Sequence, residues 1–206
     1  MSNPDNSKYT VWQVPVEHRS GREVKQLSKQ RRVEVAALGR VDQLTVSVAA
    51  ANIQAILGLM ARAVPPWPDP DYAFLPGRDQ YNAIPILKDL SRDIEDDTLR
   101  LGIISADLCL PFLSFVYGEA QINGKAAVLS LHRLRRGSDG KTAPSALFLQ
   151  RLAKVAVHET AHVIGMTHCR KQGCIMCFSL ELESLDALSM AFCPECDLNR
   201  RRRVRT

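Results

Sequence analysis

The segment Val157-His158-Glu159-Thr160-Ala161-His162-Val163-Ile164-Gly165-Met166-Thr167-His168 constrains this chain more than any other, because it matches HExxHxxGxxH at every fixed position. Residues four apart on a helix share a face, so His158 and His162 can offer ring nitrogens to one ion about 2.0–2.1 Å away. A third histidine on the same straight helix could not reach that ion. The chain must turn first, and Gly165 accepts the left-handed conformation that ends helices, which lets His168 return to the metal. Three neutral imidazoles leave the fourth position of a tetrahedral zinc open, the pattern of a catalytic site. Such an ion lowers the pKa of its water toward about 7 and polarises a carbonyl. Glu159, beside His158 on the helix, can take the water's proton. Metal-assisted hydrolysis of an amide is the reaction that fits.

Five of the six cysteines (Cys169, Cys174, Cys177, Cys193 and Cys196) fall after this segment. Cys169-x4-Cys174 and Cys193-Pro194-Glu195-Cys196 are two short pairs separated by a spacer, and four thiolates about 2.3 Å from a zinc leave no place for water. This second ion is expected to be structural, fastening the carboxy-terminal segment beneath the catalytic helix. Cys174-Ile175-Met176-Cys177 is also a CxxC and could donate Cys177 instead; Cys169 is the preferred ligand. Cys109 stands apart in the apolar stretch from Leu108 to Phe115 and is expected to be a buried, inert thiol. His18 and His132 have no comparable setting.

Length and charge set the rest. With 206 residues and 46% hydrophobic content, the expectation is one compact catalytic domain over residues 32–198, preceded by a polar extension over 1–31 and followed by an Arg-rich tail over 199–206. The formal charge is +5, and Arg200, Arg201, Arg202, Arg203 and Arg205 account for all of it. The basic excess therefore belongs to the tail, expected to be solvated and disordered, and argues against a nucleic-acid partner. No run is apolar enough for a bilayer, and MSNPDNSKYTVW lacks a secretory pattern, so a soluble, cytoplasmic monomer is expected.

Along the chain, Val33 to Leu38 reads as a strand, Val46 to Ala63 as a helix, and Pro65 to Gly77 as a connection with little regular structure. A second helix is expected from near Asp79 to about Ile94, with Pro85 arguing for a later start or a kink. Leu99 to Ile104 and Phe112 to Tyr117 read as strands, the latter paired through Asn123-Gly124 with Ala126 to Leu131. The zinc helix runs from about Ala146 to Ile164. That order implies an α/β fold with a mixed, mostly parallel sheet and an antiparallel edge strand. Phe112 to Tyr117, placed at that edge, is the expected template for an extended peptide, with Gly118 at a close approach and Glu119 facing a charged substrate end.

HETAHVIGMTHC followed by x4-Cys-Ile-Met and Cys-Pro-Glu-Cys resembles the archaemetzincin family of zinc metallopeptidases, in the metzincin clan. The resemblance extends to Gly77-Arg78-Asp79-Gln80-Tyr81, Asp107-Leu108, Phe115 to Ala120 and Ser130 to Leu134, and covers about residues 32–198. It implies a compact metzincin-like fold with a catalytic Zn2+ on His158, His162 and His168 and Glu159 as base. It also implies Met176 as an apolar floor under the imidazoles and a structural Zn2+ on Cys169, Cys174, Cys193 and Cys196. Cys177 has no role in that pattern. The activity implied is hydrolysis of short peptides, aminopeptidase-like in character. The competing reading is a zinc-stabilised binding module without turnover that contacts nucleic acid through its arginines; Glu159, which such a module does not need, favours the enzyme.

Overall fold

The computed structural model describes residues 31–137 and 141–205, so the expectation for the amino-terminal extension lies outside the described residues up to position 30. In chain order the elements are β1 (Arg32–Leu38), α1 (Gln43–Leu57), β2 (Met60–Ala63), β3 (Phe74–Leu75), β4 (Gln80–Asn82), α2 (Ala83–Leu90), β5 (Thr98–Ile104), β6 (Leu108–Leu110), β7 (Leu113–Val116), β8 (Gly118–Ala120), β9 (Ala126–Ser130), α3 (Ser145–Val163), α4 (Leu182–Ala187) and α5 (Pro194–Val204). The main sheet has the order β2-β1-β5-β9-β8, parallel throughout except for β8 at its edge. Strand alternation divides the core. Val33, Val35, Leu101 and Leu129 face α1 and α3, whereas Leu38, Ile104, Ala126 and Val128 face α2. A second sheet, β3-β4-β6-β7, adjoins the α2 face. This is the expected mixed α/β architecture with an antiparallel edge. No helix among the described residues is long and apolar enough to cross a membrane.

Several boundaries differ from the sequence expectation, each for a local reason. Asp42 caps α1 by accepting from the Thr45 N–H at 2.8 Å, and Gly58 ends it at φ 74. The alanine-rich stretch Met60–Ala63, read as more helix, is instead β2, parallel to β1. Asn82 caps α2 by accepting from Ile84 N–H at 3.0 Å, which places Pro85 in the first turn, where its missing donor costs nothing. The segment before it forms β4. The proline-rich connection also contains a 3-10 turn over Asp71–Ala73 and β3. The hairpin partner of β9 is β8, whereas β7 pairs with β6 in the other sheet. The apolar run into Tyr117 hides this change of sheet, which occurs just before Gly118. The turn chemistry holds: Asn123 sits at φ 54 in the β8–β9 connection. Cys109 is buried as expected.

The arginine run is helical. Pro194 begins α5, Glu195 and Asp197 lie in its first turn and Arg201, Arg202 and Arg203 in its last, which suits the helix dipole. Asp197 accepts from Arg200 at 2.7 Å and from Arg201 at 2.8 Å. Arg200 also donates to the Leu57 carbonyl at 2.7 Å, and Arg203 to the Ile164 carbonyl at 3.4 Å, so α5 caps the ends of α1 and α3. The boundary expected at residue 198 thus falls inside a helix. Deleting residues 199–206 will lower the melting temperature by several degrees, since hydrogen bonds to charged groups contribute roughly 1.5–3 kcal/mol each. An unchanged thermal transition would mean that these contacts contribute nothing.

Candidate metal centres and cleft

Helix α3 carries His158 and His162 one turn apart, with their Nε2 atoms 3.0 Å from each other. Gly165, at φ 92, reverses the chain, and the His168 Nε2 arrives 3.3 Å from that of His162. The Nδ1 of His158 donates to the Ile175 carbonyl at 2.8 Å, and that of His162 to the Met166 carbonyl at 2.8 Å. A carbonyl oxygen only accepts, so both Nδ1 atoms carry the proton and both Nε2 atoms present lone pairs. Lone pairs facing each other at 3.0 Å repel unless a cation lies among them, and tetrahedral bonds of about 2.0–2.1 Å separate ligand atoms by roughly 3.3 Å. Burial lowers all three imidazole pKa values, that of His158 to about 4, which favours the neutral form a metal requires. His168 is exposed, so the cluster opens to solvent.

Glu159 is buried at the edge of this cluster. Gly118 on β8 lies so close that a Cβ there would stand 2.6 Å from the Glu159 Cγ. The close approach expected at Gly118 is therefore made to this carboxylate. Burial, reinforced by the carboxylate of Glu119, holds the Glu159 carboxyl well above the usual range. Glu119 is itself raised by burial. The cleft joining these groups is lined by β8, by Leu113, Phe115 and Val116 of β7, and by Phe178, Leu180, Leu185 and Leu188 opposite. The edge of the main sheet is β8, whereas Phe112–Tyr117, expected at that edge, contains β7, the edge of the second sheet; both strands line the cleft.

The second cluster assembles Cys169, Cys174, Cys193 and Cys196, whose Sγ atoms all lie within 4.8 Å of one another, and no disulfide forms among them. Cys169 and Cys193 are 3.9 Å apart, close to the spacing of thiolates bound at about 2.3 Å to one ion. The N–H of Cys196, with neighbouring thiols, pulls the Cys193 thiol down to about 7. Cys177 lies outside the group and donates to the Lys171 carbonyl at 3.0 Å. The two clusters are adjacent in the chain. Cys174 precedes Ile175, the acceptor for His158, and Cys169 N–H bonds to the carbonyl of the buried Met176 at 2.8 Å.

Sequence reasoning passed over Arg151 and Lys154, buried cations on the same helix. Arg151 makes a two-pronged pair with Asp186 at 2.7 and 2.6 Å, and Lys154 donates to the Leu185 and Asp186 carbonyls at 3.0 and 2.8 Å. Together they hold α4 against the cleft. The available signal was spacing: Lys154 precedes His158 by four residues, as His158 precedes His162.

A family model described as Peptidase family M54 matches residues 78–202. The archaemetzincin of Methanocaldococcus jannaschii is 36% identical over 137 residues, which cover 66% of this chain and 75% of that protein. The crystal structure of the archaemetzincin from Methanopyrus kandleri matches with a TM-score of 0.76 at 28% identity, covering 89% of this chain and 100% of that one. A zinc-dependent peptidase from Methanocorpusculum labreanum matches with a TM-score of 0.73 at 25% identity, over 82% of this chain and 99% of the other. Sequence, fold and the three-histidine cluster agree: the chain belongs to peptidase family M54 and is a zinc metallopeptidase.

Proposed function

We propose that the chain cleaves short peptides with one zinc held by His158, His162 and His168, using Glu159 as general base, while a second, structural zinc is held by Cys169, Cys174, Cys193 and Cys196. The observation that carries this reading is the convergence of three imidazole Nε2 atoms beside a buried carboxylate at the edge of an accessible cleft. Zinc at the histidines would supply Lewis acidity, acidifying water and polarising the scissile carbonyl. Glu159, buried beside the histidines at the edge of the cleft, takes the attacking water's proton and delivers it to the leaving nitrogen. Glu119, half-buried in the same cleft, offers a carboxylate to a free amino terminus, which supports aminopeptidase-like cleavage. Elemental analysis of the purified protein, combined with a digest of a peptide library, tests the whole reading. Two zincs per chain and cleavage lost in His158→Ala are expected; one zinc, insensitive to that substitution, would refute the catalytic site.

Strand β8 binds the substrate's main chain. Ser130 N–H donates to Tyr117 O at 2.8 Å and Gln121 N–H to Ala126 O at 2.9 Å, so the alternate residues Gly118 and Ala120 turn their N–H and C=O groups to the open edge. Proline at Ala120 removes one outward donor, and hydrolysis should fall by about tenfold or more with zinc content unchanged. Val116→Pro, on the edge strand β7 that also lines the cleft, tests that strand separately. Equal kinetics in a folded, metallated Ala120→Pro protein would exclude β8 as template.

A further inference from the structure

Lys154 is among the residues that line the catalytic cleft, yet it is only 5% exposed. A buried ammonium is costly unless its charge and donors are satisfied. Two of its three N–H groups go to the carbonyl oxygens of Leu185 and Asp186, at 3.0 and 2.8 Å, which leaves one donor. The Asp186 carboxylate is committed to Arg151, itself 2% exposed, through both oxygens. Glu183, which also acts on Arg151, is exposed and screened by water. Two buried cations therefore share one half-buried carboxylate, and this end of the cleft carries unbalanced positive charge. Tyr117, Val155, Leu185 and Leu188 line the same cleft, whose walls are mainly apolar.

An apolar pocket that ends in an ammonium matches a side chain of methylenes that ends in a carboxylate. Four residues of helix rise about 6 Å, so Lys154 lies about that far along α3 from His158. That distance suits a side chain beside the scissile bond better than the peptide backbone. We propose that Lys154 is a specificity-determining residue that receives the carboxylate of an acidic side chain, glutamate in preference to aspartate, on one of the two residues flanking the cleaved bond. The proposal rests on the peptidase reading above and adds the class of substrate.

The test supplies zinc-loaded, full-length protein with matched peptides carrying Glu or Gln at each flanking position. At one position kcat/KM should be about tenfold higher for Glu, as expected for a charge-assisted hydrogen bond. Lys154→Met should bring that ratio to about one, and Lys154→Arg should restore most of it. Calorimetric titration of the same peptides into Glu159→Gln protein reads binding without turnover and should give the same preference. Equal rates for Glu and Gln peptides in the parent overturn the proposal, and this comparison decides even if Lys154→Met fails to fold. A preference unmoved in folded Lys154→Met protein overturns it as well. If no peptide is cleaved but Glu peptides still bind tighter, the peptidase reading falls and the anion-binding role of Lys154 stands.

Discussion

Glu159→Gln will lower peptide hydrolysis by roughly 10²–10⁴-fold while fold and zinc content stay as in the parent. The amide nearly matches the carboxylate in shape, so it fits the space that Gly118 leaves by having no Cβ. What it loses is the ability to accept the water's proton. Because the amide keeps the shape and packing of the side chain, the variant should melt close to the parent. The measurements are kcat/KM on a cleaved library peptide, zinc per chain and the thermal transition. Parent-like turnover would remove Glu159 as the base. Lost turnover accompanied by lost zinc would instead assign it a role in holding the site together.

The parts of this site that could be read directly from sequence are those whose geometry is set by short covalent spacing. His158 and His162 must share a face because they are four apart on one helix, and Gly165 marks the reversal that brings in His168. Two close cysteine pairs likewise announce a cluster. The approach of Gly118 to Glu159 joins residues 41 apart, from a strand and a helix, and no local pattern encodes it. The same holds for Arg200 and Arg203: a run of arginines reads as solvated until the carbonyl ends of α1 and α3 are found beside it. Met60–Ala63 failed for a different reason, because alanine-rich sequence suits a helix and only pairing with β1 makes it a strand. The four-residue spacing puts Lys154 on the histidine face, yet a lysine one turn before His158 looks solvent-facing in sequence. Its burial depends on α4 folding over it.

Cys174→Ser should damage both metal sites, although only the cysteine cluster loses a ligand. Cys174 is buried, and its sulfur accepts from the N–H of Cys193 at 3.4 Å, so the substitution strikes the link between the two cysteine pairs. Losing about 5 kcal/mol, a third to a half of what structural zinc contributes in small folds, corresponds to a fall of roughly 10–20 °C in melting temperature. The next residue extends the effect. Ile175 gives its carbonyl to the Nδ1 of His158, and that bond fixes which nitrogen of the ring is left for the metal. Loss of such a supporting contact typically lowers metal affinity by about 10–100-fold, so hydrolysis at limiting zinc should fall and recover as zinc is raised. Cys177→Ser is the control. Its thiol donates to the Lys171 carbonyl outside the cluster, and both zincs should remain. If Cys174→Ser keeps parent-like hydrolysis at limiting zinc while its melting temperature drops, the two sites are energetically separate and the Ile175 carbonyl does not transmit between them.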